Sequence, residues 1–250
     1  MTTADLYQSV MMVDPSTGDR SVDPAARQSV FDGVWSRPGL SVRERRIVTI
    51  VCVAGVVDVP ATDAHIYAAL KSGDLTIEQL NEFTLHFAVY CGWPKASQME
   101  ACVRAQWQRM HDELGEPTPP FPERTLDDLG PTDHAARITG GRASFEEINL
   151  VSAPPADSPY FHAGILNFVF GHLWLRPGLT RRERRLITVP CVGVSDAAIP
   201  IWSHVTSALA SGDLSYDEMQ EVILQFKAYA GAARAQALQD IADQWKGSQP

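Results

Sequence analysis

The sequence predicts an all-α protein made of two tandem helical units related by a pseudo-twofold axis. Three observations carry this. Strand-like alternation is absent, Ser or Thr capping signals stand before long apolar runs, and one thirteen-residue phrase is written twice. RPGLSVRERRIVT runs from Arg37 to Thr49 and RPGLTRRERRLIT from Arg176 to Thr188, 139 positions apart (176 less 37). The same offset pairs Trp35 with Trp174, Cys52 with Cys191, His65 with His204, Glu82 with Glu221, Tyr90 with Tyr229 and Gly92 with Gly231. It also pairs Gly73-Asp74-Leu75 with Gly212-Asp213-Leu214, and weaker matches extend upstream, with Pro15 on Pro154. The units are therefore expected at 1–111 and 143–250, with 112–142 as a Pro-rich, acidic linker crossing the surface. Two copies are too few for a solenoid.

Each element has a local reason. VDPAARQSVFDGVW has helical spacing and stops before the loop residues Arg37-Pro38-Gly39. Ser41-Val42-Arg43-Glu44 is a capping box, and Thr180-Arg181-Arg182-Glu183 is its copy. Behind the first box, IVTIVCVAGVV is apolar on almost every face, which predicts a central, buried helix. A helix around Ala64–Ser72 is expected to end at Gly73 in a left-handed cap. Thr76 and Ser215 open the next helix of each unit, which runs to Gly92 in the first. Pro94 then starts a last helix towards Met110.

Composition narrows the function. The chain of 250 residues carries a net charge of -9, which argues against a nucleic-acid partner, since phosphate binding needs a basic surface. No apolar run is long enough to span a membrane, and the first residues lack the basic and apolar regions of a signal peptide. Four cysteines without paired spacing read as reduced thiols, so a cytoplasmic location is expected. No CxxC, Gly-rich phosphate loop or HExxH zinc motif is present.

The candidate site residues follow from charge and recurrence. Arg43, Arg45 and Arg46 stand in the first turn of the buried helix, where cations oppose the helix dipole. Either an anion binds there, or the arginines pair with acids of a neighbouring helix or subunit. Arg46 shares a stripe with Ile50 and Val53 and is expected to point inward. His65 sits on an alanine-rich helical face and recurs as His204, as a hydrogen-bonded core residue or as a working one. Glu82, His86 and Tyr90 form a polar stripe at i, i+4 and i+8, with Glu221, Gln225 and Tyr229 as counterparts. That stripe reads as a structural network or as a pocket wall. His172, just before Trp174, has Gly33 as its counterpart.

Trp35–Gly92 and Trp174–Gly231 resemble the carboxymuconolactone decarboxylase family, within the alkyl hydroperoxidase D-like superfamily. The resemblance rests on W-x-RPGL-x-x-RERR, the histidines in DAHIYAAL and WSHVTSAL, the GDLT and GDLS turns, and E-x-x-L-x-F-x-x-Y-x-G. It implies two alkyl hydroperoxidase D-like helical bundles. The peroxidase branch carries a glutamate followed by CxxCxxxH. Mapped here, its histidine falls on His65 and His204, its cysteines on Asp58 and Ala61 and on Ala197 and Pro200, and its glutamate on Arg46 and Arg185. The resemblance is thus to the decarboxylase branch, without thiol redox equipment. It implies a lyase that needs no metal or organic cofactor and acts on a small anionic lactone or related enolisable acid. By this reading Arg46 and Arg185 hold a carboxylate or enolate oxygen, and His65 and His204 move the proton. Arg43, Glu82, His86 and Tyr90, with Arg182, Glu221, Gln225 and Tyr229, bind substrate around them. An isomerase or cyclase using the same pocket, or a non-catalytic binding or assembly protein of this fold, are the other readings. Family members usually associate as trimers or hexamers of single units, so a homo-oligomer, a trimer of fused pairs, is expected.

Overall fold

A computed structural model describes residues 2–16, 24–123 and 130–249, and every regular element among them is helical. The first half contains α1 (Thr3–Met11), α2 (Pro24–Val30), a π-helical turn (Phe31–Trp35), α3 (Val42–Gly55), α4 (Val59–Ser72), α5 (Ile77–Cys91) and α6 (Trp93–Leu114). The second contains α7 (His134–Asn149), a π-helix (Tyr160–Phe170), a short 3-10 turn (Leu173–Leu175), α8 (Arg181–Ser195), α9 (Ala198–Ala210), α10 (Tyr216–Ala230) and α11 (Ala232–Gly247). No described helix is long and apolar enough to cross a membrane.

The local signals act as the sequence indicates. Ser41, Thr76, Thr180 and Ser215 each accept from the backbone N–H three residues on, and the Glu or Gln at that position reaches back to the cap. These bonds satisfy amides that the helix itself leaves open. Gly73 closes α4 in the left-handed region at φ 74°, as expected. The helix read from VDPAARQSVFDGVW splits into α2 and the π-helical turn.

Two boundaries differ from the sequence reading. α6 continues to Leu114, and α7 already begins at His134, so the segment expected as linker over 112–142 contains helix at both ends. Gly141 lies inside α7. A Cβ there would lie 1.8 Å from the Leu166 carbonyl oxygen, so glycine lets α7 pack against the Tyr160–Phe170 π-helix. Part of the Pro-rich stretch, 124–129, lies outside the described residues.

α3 and α8 form the centre. Ile47, Val48, Ile50, Val51, Leu186, Ile187 and Val189 are fully buried in one apolar core that both halves share. The two helices run side by side in the same direction. Their first turns meet through Arg43–Glu183 and Arg182–Glu44, and their last turns meet where Gly55 faces Val194. A Cβ on Gly55 would come within 2.8 Å of Val194 Cγ1, so the crossing is close. α5 packs on α8 and α10 packs on α3, so each half places a helix against the centre of the other.

Candidate active site

The first-turn arginines are committed to acids. Arg43 meets Glu183 at 2.5 Å, and Arg182 meets Glu44 at 2.7 Å and Glu218 at 2.6 Å. The capping-box glutamate of one central helix thus neutralises an arginine of the other. Arg43 and Arg182, expected to bind substrate, are held in these pairs, and among the described residues neither is in the wall of the two cavities described below.

A second layer lies deeper. Arg45 is fully buried and donates to Glu221 Oε2 at 2.7 Å and to Gln225 Oε1 at 3.1 Å. Gln225 Nε2 then donates to Thr49 Oγ1 at 2.8 Å. Across the molecule, Arg184 Nη1 lies 3.2 Å from His86 Nδ1, and His86 Nε2 lies 2.7 Å from Thr188 Oγ1. Arginine can only donate, so Nδ1 accepts and the proton sits on Nε2. His86 and Gln225 therefore play one role, accepting from arginine and donating to threonine. Glu82 takes the Arg176 guanidinium in a bidentate pair at 2.7 Å, and His172 Nε2 lies 3.0 Å from the same guanidinium. Burial and Arg184 hold His86 well below the usual histidine range. Of the expected stripe, Glu82, His86, Glu221 and Gln225 form this inter-half network rather than a pocket wall.

The remaining residues converge on two cavities. In the first, of about 350 Å³, the wall includes Tyr7, Met11, Arg27, Phe31, Asp58, Ala61, His65 and Tyr229. His65 stacks on Trp35, with ring centres 5.9 Å apart and planes 6° apart, and meets Tyr229 edge-on at 5.4 Å. Trp35 Nε1 donates to the Tyr229 hydroxyl at 2.8 Å. Arg46 lies behind, with its guanidinium 5.9 Å from the Trp35 ring centre; its Nε donates to Asp74 at 2.8 Å and its Nη2 to the Val10 carbonyl at 2.7 Å.

The second cavity, of about 480 Å³, repeats the arrangement with other walls. His204 stacks on Trp174 at 6.2 Å and meets Tyr90 edge-on at 5.2 Å, and Trp174 Nε1 donates to the Tyr90 hydroxyl at 2.8 Å. Arg185 lies 5.4 Å from the Trp174 ring centre and bonds Asp213, Ser207 and the Ile148 carbonyl. Each cavity thus takes its histidine from one half and its tyrosine from the other.

Electrostatics set the protonation states. Burial pushes both His65 and His204 down to about 3, with Arg46 and Arg185 adding to the effect, so both imidazoles are neutral near pH 7. Burial also raises the Tyr90 and Tyr229 phenols, which stay protonated. Nδ1 of each histidine is buried without a hydrogen-bond partner among the described residues. Arg46 and Arg185 were expected to grip a carboxylate. Both are fully buried and held by Asp74 and Asp213; among the described residues neither is in the wall of these two cavities, and each guanidinium lies behind the tryptophan of its histidine stack.

Residues 24–105 match the carboxymuconolactone decarboxylase family. The resemblance to the carboxymuconolactone decarboxylase family covers that segment, about a third of the chain. Similar proteins include a 4-carboxymuconolactone decarboxylase of Acinetobacter baylyi, 30% identical over 84 residues, which cover 34% of this chain and 62% of that protein. Another is a nitrosuccinic acid decarboxylase of Metarhizium robertsii, 36% identical over 73 residues, covering 29% of this chain and 49% of that protein. The chain thus spans between about half and three-fifths of the length of these relatives.

The carboxymuconolactone decarboxylase segment runs from α2 into α6 and contains Arg27, Phe31, Trp35, Arg46, Asp58, His65 and Asp74. Three features of the site escaped the sequence reading. Asp74 and Asp213 were noted only as part of a turn, yet they neutralise Arg46 and Arg185; their shared offset was the available signal. Trp35 and Trp174 were noted only as repeat markers, yet each carries a histidine on its face. Arg27 carried no repeat signal, because Leu166 stands at its offset, and α1 carried only a weak one.

Proposed function

We propose that this protein is a cofactor-independent decarboxylase-like lyase acting on a small carboxylated lactone or related enolisable acid, at the first cavity. The observation that carries the proposal is the pairing of Arg27 with His65 in one cavity wall. Arg27 is half-buried, lies 4.6 Å from the Tyr7 ring centre, and is the cationic side chain of that wall among the described residues. The matched family segment includes both residues, and the two decarboxylase relatives support the reaction class.

The chemistry follows from these positions. Arg27 holds a carboxylate that stays on the substrate and orients the ring. The departing carboxylate then faces the apolar side chains of Met11, Val30 and Phe31. As CO2 leaves, the electron pair moves into the substrate's own carbonyl, which serves as the electron sink. His65 donates to the developing enolate and returns a proton to carbon. An anion beside it favours imidazolium, so substrate binding lifts the depressed His65 pKa. Trp35 and Tyr229 keep the ring in place, and Arg46 and Asp74 support Trp35 from behind. A duplicated family unit accounts for the second cavity.

The test is decarboxylation of a panel of carboxylated lactones and nitro- or keto-substituted acids, with binding followed separately. His65→Ala should lower turnover by about 10²–10⁴-fold with a smaller change in affinity. Arg27→Ala should chiefly raise KM. A folded His65→Ala protein with wild-type turnover would remove the proposed mechanism, and binding without turnover across the panel would favour a binding protein.

A further inference from the structure

The two cavities share a histidine–tryptophan–tyrosine frame, but their charge differs position by position. Arg27 and Asp58 of the first wall correspond, at the 139-residue offset, to Leu166 and Ala197. Among the described residues, no Asp, Glu, Lys or Arg lines the second cavity. Arg185, behind Trp174, is fully buried and neutralised by Asp213. The polar groups that remain are neutral. Asn149 accepts from Ser203 at 3.1 Å, and His204 and Tyr90 face each other edge-on.

The walls are also more apolar and larger. The Tyr160–Phe170 π-helix supplies several aromatic side chains, and π-helical segments recur at functional sites. Tyr160 and Ile199 stand at the rim, 66% and 80% exposed, so an apolar ligand meets apolar surface before it enters.

We propose that the second cavity is a separate site for a neutral, ring-sized, largely apolar molecule bearing one hydroxyl or carbonyl group. The apolar body packs against the π-helix, and the polar group meets the cluster of His204, Asn149 and Ser203. A carboxylate is rejected, because it would lose its hydration without gaining a cation or a full set of donors. This assignment does not require the first cavity to be catalytic.

The probes are 2-naphthol and 2-naphthoate, two molecules of one shape that differ in charge near pH 7. Binding is measured by titration calorimetry and by quenching of tryptophan fluorescence. 2-Naphthol should bind the second cavity at least about tenfold more tightly than 2-naphthoate, a difference expected for an uncompensated buried charge. Gly164→Phe and Ala197→Phe both fill this cavity, Gly164 having open space around a Cβ position. Each should remove 2-naphthol binding while thermal unfolding stays close to wild type. Ala61→Phe, which fills the first cavity, should leave it unchanged. Two results would overturn the assignment. One is equal binding of the two probes, or none of 2-naphthol. The other is 2-naphthol binding that survives in both folded filling variants or disappears with Ala61→Phe.

Discussion

Trp35 Nε1 donates to the hydroxyl of Tyr229, a residue nearly two hundred positions away and in the other half of the chain, at 2.8 Å. Trp174 makes the same bond to Tyr90. The ring that carries each histidine is therefore anchored by the opposite half.

Crossed effects should follow. Tyr229→Phe leaves the Trp35 N–H without its acceptor and should cost about 1–3 kcal/mol of stability. It should weaken ligand binding at the first cavity, although Tyr229 lies in the second half. Tyr90→Phe should act on the second cavity alone. Urea titrations with binding at each site would show this, and effects confined to the tyrosine's own half would contradict it.

His86 and Gln225 occupy equivalent places in the buried arginine network, each accepting from arginine and donating to threonine. His86→Gln should therefore change stability by about 1 kcal/mol or less. His86→Ala removes packing and leaves Arg184 and Thr188 unsatisfied, and should cost roughly 2–4 kcal/mol. Chemical denaturation of the two variants checks the difference. Comparable losses in both would mean that the ring, and not its bonding pattern, is what the site requires.

Glu221 is the acid for Arg45, which is fully buried, and it also takes Arg37. Glu221→Ala should cost about 3–5 kcal/mol, because it leaves a buried charge uncompensated. Arg43→Ala, at a half-exposed pair, should cost about 1 kcal/mol or less and spare turnover. Unfolding midpoints and activity rank the two.

Stability should depend on pH through the two stacked histidines. In the unfolded chain they titrate near 6.5, and in the folded protein burial holds both at about 3. Between those values the unfolded state binds more protons, so stability rises with pH. The contribution is complete above the unfolded value and is lost as pH falls towards the folded one. Between about pH 7 and about pH 5, above most carboxylate titration, the His65→Gln/His204→Gln double variant should lose less stability than wild type. Parallel losses would show that these histidines do not titrate as described.

Substrate binding at the first cavity should take up a proton, since an anion beside His65 favours imidazolium. A neighbouring charge shifts a pKa by about 1–3 units, so uptake should be small near pH 7 and grow as pH falls towards about 5, read by calorimetry in buffers of different ionisation enthalpy. That uptake should vanish in His65→Gln. A wild-type signal independent of the buffer would separate His65 from proton transfer.

Much of the fold was legible because its signals are local. Ser41 and Glu44, or Gly73 after Ser72, specify a helix end within a few residues. The need for glycine at Gly141 was not legible, because its cause lies across the molecule, where Leu166 approaches. The site was half legible for the same reason. His65 and Tyr229 could each be singled out by recurrence, but nothing in the chain order says that they meet. Arg46 was assigned to a ligand because Asp74, its partner, stands a whole helix away in sequence. His86 and Gln225 looked like divergence between the halves, yet their bonding patterns coincide. Arg27 was not singled out, because Leu166 stands at its offset and no repeat marks it.

The shared core has a consequence for how the halves can change. Two free copies of one subunit pair with themselves as readily as with each other, so a variant that suits only one partner is diluted among mismatched assemblies. Here the peptide chain holds the stoichiometry at one to one and fixes who faces whom. Specialisation of either chamber can then accumulate without a recognition code to keep like from pairing with like. The cost is that neither half is expendable: a truncation that spares every residue of one histidine's own half still removes the tyrosine that anchors it.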